Sequence, residues 1–422
     1  MKFIPYLYFI SILSVLYIPN WTVIDPKAQH WFHLSIINTI FLIYIGFTGR
    51  DKINSVLREP VFLSISAFFL ISCISATYAI NYIESLVKLT DIYVILSSVL
   101  ITLYFATTKE LNIKVILNTI LISILLDLAG SFYQFSQIIG STEFTFEYSN
   151  SIKSIYGNKN IAAMAYMIKF PMLLILQMKT KSRLYKIIIS FILVLTFYML
   201  LLLSSRTAFL ALTLSILLIA LLIFIKKFMH QQNIIKDLNQ FKNFLLPLII
   251  AFVIFKISIN QEGDISVEKR VTSIIQNEND ASTYERFRFY SHAISHIRSN
   301  PLLGCGIGNW RLLSIKYDSE TMYSYVIPYF AHNDFLEVFA ETGIFGFLSY
   351  LMFFFFLFKE ALKKILIWLK SQGNYIAILL SLCLIYYLVD ANLNFPIDRP
   401  SLQIPFLYFI CLLYSSKEAH VK

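Results

Sequence analysis

Three constellations have residue types and spacings that could do chemistry. Ser204-Ser205-Arg206-Thr207 forms a turn of a few residues between two long apolar runs, and its only charge is an arginine. A guanidinium held at a membrane surface can grip phosphate oxygens in a bidentate fork. It can also snorkel toward lipid headgroups as a simple anchor. Arg286-Phe287-Arg288 sets two arginines at i and i+2, which leave a helix on different faces. At most one of them therefore faces a site shared with Arg206; in the other reading both are solvated or paired with Glu285. His332, in Ala331-His332-Asn333-Asp334, stands where a long polar stretch returns to apolar sequence. A neutral histidine there can accept a hydroxyl proton, or it can serve as an interfacial cap. Glu341 follows nine residues later, deeper in the membrane if a helix has begun, where a carboxylate needs a partner. Gly343 and Gly346 would permit close helix approach beside it.

Weaker signals surround these. His292 and His296 have metal-ligand spacing on one helical face. The residue after His292 is alanine, however, and a third ligand is not evident, so they read as surface or groove-lining histidines. Asn158 and Asn160 flank Lys159 after Tyr156-Gly157; their amides can bind sugar hydroxyls or cap the helix that follows, and the cap is the better local reading. Asp127, Lys169 and Asp390 lie inside apolar runs, where each costs about 2.5–3.5 kcal/mol to insert, so partners within a bundle are expected.

The elements that must position these residues are membrane helices. Of 422 residues, 57% are hydrophobic and 14% charged, against roughly half and a quarter in soluble domains. The apolar material falls in blocks of about 17–25 residues, enough to cross a bilayer. Twelve spans are predicted: 3–19, 32–48, 60–79, 89–106, 113–139, 161–178, 185–204, 207–225, 243–259, 334–358, 374–391 and 402–416. The first block runs from Lys2 into Pro19-Asn20 without a small-residue cleavage site, which favours a retained helix over a signal peptide. One set of connections and ends holds twenty Lys and Arg and the opposite short loops hold six. By the positive-inside rule both termini are then cytoplasmic.

This divides the chain into helices 1–9 (residues 1–259), a large loop on the outer side (260–333) and helices 10–12 (334–422). Within the loop, 282–299 has helical spacing, Pro301 ends it, and Gly304-Cys305-Gly306-Ile307-Gly308 makes a tight turn. Loops this long are usually functional. The net charge of +10 is spread over short loops as a topology signal, which argues against nucleic acid as a partner. The four cysteines include no Cys-x-x-Cys pair, and Cys305 has no nearby partner, so neither a thiolate metal site nor a structural disulfide is expected. No internal repeat supports an inverted-repeat transporter.

Four segments in order carry a resemblance: Tyr156-Gly157-Asn158-Lys159-Asn160; Ser204-Ser205-Arg206-Thr207-Ala208; Arg286 through Tyr290 and Ala293 to Asn300-Pro301-Leu302-Leu303-Gly304 and on to Trp310; and His332-Asn333-Asp334-Phe335-Leu336 with Glu341, Gly343 and Gly346. Together they resemble the O-antigen ligase and Wzy-type polymerase superfamily, and Asn394-Phe395-Pro396 through Arg399-Pro400 is similar to that family's tail. Tyr290 departs from it, standing where the family often has tryptophan, with an effect expected on packing more than on chemistry.

The resemblance implies an all-α, GT-C-like glycosyltransferase of the bacterial inner membrane, acting on the periplasmic face without a cofactor or an obligatory metal. Its donor would be a glycan on undecaprenyl diphosphate. Its acceptor would be lipid A-core, a second glycan or a protein, with ligation to lipid A-core in front and membrane lipids as surroundings. Carried onto this sequence, Arg206 and Arg286 would bind the donor diphosphate and His332 would activate the acceptor hydroxyl. Arg288, Asn158, Asn160, Asn333, Glu341 and Arg399 are further substrate-binding candidates. A diphosphate leaving group without a metal needs arginines, and a poorly acidic hydroxyl benefits from a positioned base.

Overall fold

The computed structural model describes residues 3–19, 25–107, 111–138, 146–230, 235–258, 281–319, 322, 327–370 and 375–415. Lys269 and Arg270, with the first part of the 260–333 connection, lie outside the described residues.

Every predicted span coincides with a helix. In order these are α1 (Ile4–Ser14, continued by a 3-10 turn Val15–Tyr17), α2 (Pro26–Thr48), α4 (Pro60–Ala76), α5 (Tyr82–Ala106), α6 (Ile113–Ser136), α8 (Lys159–Lys179), α9 (Arg183–Leu203), α10 (Arg206–His230), α11 (Ile235–Ser258), α14 (Asp334–Lys370), α15 (Ile376–Leu393) and α16 (Pro400–Ser415). Among the described residues, nine of them are long and apolar enough to cross a membrane; α1 with its turn, α4 and α16 are shorter apolar helices. Among the described residues the fold is all-α, and its nine long apolar helices are those of a multi-pass membrane protein.

Capping chemistry sets where several helices start. The Asp25 carboxylate accepts from Lys27 N at 2.9 Å and the Asn81 amide oxygen from Ile83 N at 3.0 Å. Asn112 and Asn158 do the same for α6 and α8. Such a cap contributes about 1 kcal/mol. Proline stands in the first turn of α2, α4 and α16, where its missing N–H costs nothing. Helices α2 and α5 begin six or more residues ahead of the predicted spans, because their first two turns carry Lys27, Gln29 and His30, or Glu84 and Lys88.

Four helices were not predicted as spans: α3 (Arg50–Leu57), α7 (Phe146–Ser151), α12 (Ala281–Ser299) and α13 (Trp310–Asp318). Helix α12 is the helix expected in the outer loop. The loop holds a second one, α13, which corrects the expectation of a single short helix. Its buried stripe is Trp310, Ser314 and Asp318, only one of them apolar, so hydrophobic periodicity could not reveal it.

The chain folds into two units that cut across its linear order. The first comprises Met1–Leu111, Asn279–Lys359 and Asp390–Lys422. An aromatic cluster centres it: Tyr8 meets Phe41 edge-on at 5.0 Å, and Phe9 meets Tyr408 likewise. Beside it the buried Asn38 amide donates to the Val94 carbonyl at 3.0 Å and the Ser97 hydroxyl at 2.9 Å, so its polar group is satisfied within the apolar core.

The second unit comprises Asn112–Glu278 and Glu360–Val389. Helix α8 is its axis, with 94% of its most apolar window buried. The expected partners of two intramembrane charges are here. Lys169 donates to Asp127 at 2.6 Å, to Ser123 at 2.7 Å and to the Tyr156 hydroxyl at 2.9 Å, which uses all three ammonium protons. Tyr156 in turn donates to Asp127 at 2.8 Å, so the segment before α8 is tied to α6 by the same charge pair.

Candidate functional site

The first unit brings His332, Arg286 and Arg399 to one place. His332 is the residue before the cap of α14 and has φ 54°, a left-handed conformation that costs a non-glycine residue about 1 kcal/mol or more. Two contacts hold it there. The following Asn333 side chain caps α14, accepting from Phe335 N at 3.0 Å and Leu336 N at 3.1 Å. The preceding Ala331 N–H donates to Glu337 at 2.8 Å.

The His332 ring lies between aromatic neighbours, with Phe289 of α12 parallel at 6.0 Å and Phe395 edge-on at 5.1 Å. Its buried Nδ1 receives no hydrogen bond among the described residues. Burial first, then the charges of Arg286 and Arg399, push its pKa down from 6.5 to about 4. The imidazole is therefore neutral at pH 7, with a lone pair available to a proton.

Both arginines owe their places to short-range chemistry. Arg286 leaves α12 toward Asn394, with Nη2 3.5 Å from Oδ1. Asn394 is itself oriented by its 2.6 Å bond to Asp390, which gives that expected intramembrane carboxylate its partner. Arg399 lies with its guanidinium 4.2 Å over the Phe395 ring, and its buried Nε has no acceptor among the described residues. The turn carrying both Phe395 and Arg399 is fixed by Asp334, which accepts from Ile397 N at 3.1 Å. Tyr290, one turn along α12 from Arg286, places its hydroxyl 3.1 Å from the His332 carbonyl. Its role is thus wider than the packing expected for it.

Other candidates stand elsewhere. Arg288 is buried, pairs with Asp318 of α13 at 3.3 Å and lies over the Phe289 ring. It leaves α12 on a different face from Arg286, as the i, i+2 spacing requires. His292 shares Asp318 at 3.2 Å and His296 meets the Tyr317 hydroxyl at 3.2 Å. Both histidines are buried between α12 and α13, which corrects the surface reading, and among the described residues no cluster of His, Cys, Asp or Glu could hold a metal ion. Glu341 accepts from Trp310 N at 3.0 Å and pins the glycine turn. That turn crosses α14 at its kink: Cys305 N reaches Ala340 O at 2.9 Å and Gly306 N reaches Glu341 O at 2.8 Å. At the kink Gly343 has φ 65°, and a Cβ there would collide with the Leu302 carbonyl.

The remaining candidates belong to the second unit. Arg206 is the first residue of α10, following Ser204 in a left-handed turn with φ 48°. Ser204, Ser205 and Thr207 around it are buried. One turn on, Ala208 and Phe209 line an apolar cavity of about 200 Å3 among α8–α11. Asn158 caps α8 through Asn160 N at 2.8 Å, so the local reading of that pair is the one observed.

Sequence reasoning missed Asn394, Phe289 and Phe395 as parts of the His332 surroundings. Asn394 and Phe395 were visible only as part of a tail pattern, and nothing local marks a phenylalanine as the wall of a site.

Residues 191–351 match the family model described as O-antigen ligase. No curated protein matches the chain. The matched stretch contains the Arg206 turn, α12 with Arg286, the glycine turn and His332, and it supports membrane function of the O-antigen ligase or polymerase type. Over that stretch the chain is similar to the O-antigen ligase and Wzy-type superfamily.

Proposed function

We propose that the protein is an inner-membrane glycosyltransferase that moves a glycan from undecaprenyl diphosphate to an acceptor hydroxyl on the periplasmic face, with lipid A-core as the acceptor. The observation that carries this reading is the neutral, strained His332, its buried Nδ1 without a partner among the described residues, set beside Arg286 of the same matched stretch and Arg399 beyond it.

In the reaction the acceptor O–H proton passes to the His332 imidazole as the oxygen attacks the anomeric carbon. The bond from that carbon to the diphosphate breaks, and the negative charge leaves on the diphosphate. Arg286 and Arg399 supply positive charge at the His332 site, and Arg206, in its turn at the head of α10, keeps the phosphate-binding role that the family resemblance gives it. The two cations also suppress protonation of His332, so one pair of groups serves both the base and the leaving group. Asn158, Asn333 and Glu341 act here as caps and a turn clamp that position the backbone, and Asn160 lends its N–H to the Asn158 cap. The proposed topology has both termini in the cytoplasm.

A lipopolysaccharide gel of a deletion strain tests this, with complementation by wild type and by His332→Ala. Bare core with polymerised glycan left on its carrier lipid supports ligation; core carrying a single repeat means polymerisation instead. Full rescue by His332→Ala at normal protein level removes the base from the mechanism.

A further inference from the structure

The first unit contains a cavity of about 120 Å3 that the His332 chemistry does not use. Its walls come from α2, α5, α14, the head of α13 and the turn before α16. Carboxylates dominate them: Asp25, Glu84, Asp91, Glu337, Glu341 and Asp398, against three cations, Lys27, Lys88 and Arg311. Two of the cations are already engaged. Lys88 pairs with Asp398 through Oδ1, and Arg311 lies 2.8 Å from Glu84. Lys27 sits 5.4 Å over the Phe330 ring.

Hydrogen-bond acceptors are left in surplus. Asp398 is only 7% exposed, and its buried Oδ2 receives no hydrogen bond among the described residues. Asp91 follows Lys88 by one helical turn, and no hydrogen bond ties it down among the described residues. A buried carboxylate oxygen without a donor is costly, so the cavity calls for a ligand rich in donors. Trp31, Tyr329 and Phe330 add aromatic surface. Hydroxyl donors on a rim with an apolar C–H face describe a pyranose ring. The excess of carboxylates repels an acidic one.

The cavity also shares a wall with the His332 site. Phe330 stacks on Phe395 at 4.0 Å, and Phe395 meets His332 edge-on. Asp398 faces the cavity while its neighbour Arg399 faces His332. We propose that this cavity is an acceptor subsite, which holds a neutral or amino sugar of the acceptor glycan next to the reacting hydroxyl and excludes acidic sugars. The proposal rests on the glycosyl-transfer reading.

Saturation-transfer NMR tests it on the full-length protein in nanodiscs, free of sugar-headed detergent. The probes are glucose, glucosamine and glucuronate at millimolar concentration. Glucose and glucosamine should receive magnetisation and glucuronate should not. Asp91→Asn should lower the glucosamine signal at least about two-fold at an unchanged unfolding temperature. No signal from any sugar, equal signal from glucuronate, or an Asp91→Asn signal equal to wild type overturns the subsite. His332→Ala separates the two readings. Sugar signal kept with transfer lost supports both. Transfer lost without any wild-type sugar signal sinks the subsite alone, and sugar signal with transfer unaffected by His332→Ala sinks the base alone.

Discussion

The Tyr290 hydroxyl lies 3.1 Å from the carbonyl oxygen of His332 and 2.9 Å from that of Asn392, within reach of both with one proton to give. Helix α12 is thereby latched to the backbone of the proposed base and to the end of α15. A carbonyl held by a neighbour helps keep His332 at its positive φ.

Tyr290→Phe removes this donor and little volume. A single such bond is worth about 0.5–1.5 kcal/mol net, so glycan transfer should slow by roughly 2- to 10-fold at normal protein level. A rate equal to wild type in a purified-component assay would show that the latch does not position His332.

The pH dependence of transfer should carry the depressed pKa of His332. A base must be deprotonated to act, and one held near 4 stays active well below the ordinary histidine range. The acid limb of the rate profile is expected near pH 4, with no inflection near 6.5. The same shift affects stability. The unfolded chain binds the His332 proton first, near 6.5, so this contribution is whole above about pH 6.5 and is lost as the pH falls toward 4. An acid limb centred at 6.5 would contradict the burial of the ring between Phe289 and Phe395.

Arg286 and Arg288 should separate cleanly on substitution. Arg286→Gln should cut transfer by about 100-fold or more with the protein level unchanged, as losses of charge stabilisation in a transition state do. Arg288→Gln leaves the buried Asp318 without its guanidinium, and removing one partner of a buried pair costs about 3–5 kcal/mol. Its expected phenotype is low protein level and a lowered unfolding temperature, with near-normal activity per surviving molecule. The reverse pattern would exchange the two roles.

The sequence made the helices legible because lipid-facing and core-facing residues are alike apolar, and length alone marks a span. It was less informative where polar residues open a helix, as at Lys27 and Lys88, or where polar residues form the buried stripe, as at Ser314 and Asp318. Arg206, Arg286 and His332 stood out as charges or titratable groups at boundaries. The i, i+2 spacing separated Arg286 from Arg288 but could not say which of them faced the base; that depends on Asn394 and Asp318, one more than a hundred residues away and the other on an unforeseen helix. Asp398 escaped notice because its partner, Lys88, lies more than three hundred residues earlier.

The Lys169–Asp127 pair gives a test of the second unit that is independent of the chemistry. Both side chains are fully buried, and the pair with Tyr156 and Ser123 satisfies every ammonium proton. Asp127→Leu strands a buried ammonium and Lys169→Met strands a buried carboxylate, each at about 3–5 kcal/mol. The double variant strands neither, and replacing a buried pair by apolar residues is often neutral. Each single variant should therefore fall sharply in unfolding temperature and expression, while the double variant recovers most of both. Its Tyr156 hydroxyl would still have lost Asp127, so recovery should stop short of wild type by about 1 kcal/mol. Additive losses in the double variant would mean that the pair serves something other than the packing of α6 against α8, and a full recovery of stability without recovery of transfer would point to the segment it anchors, 152–158, as part of the donor site.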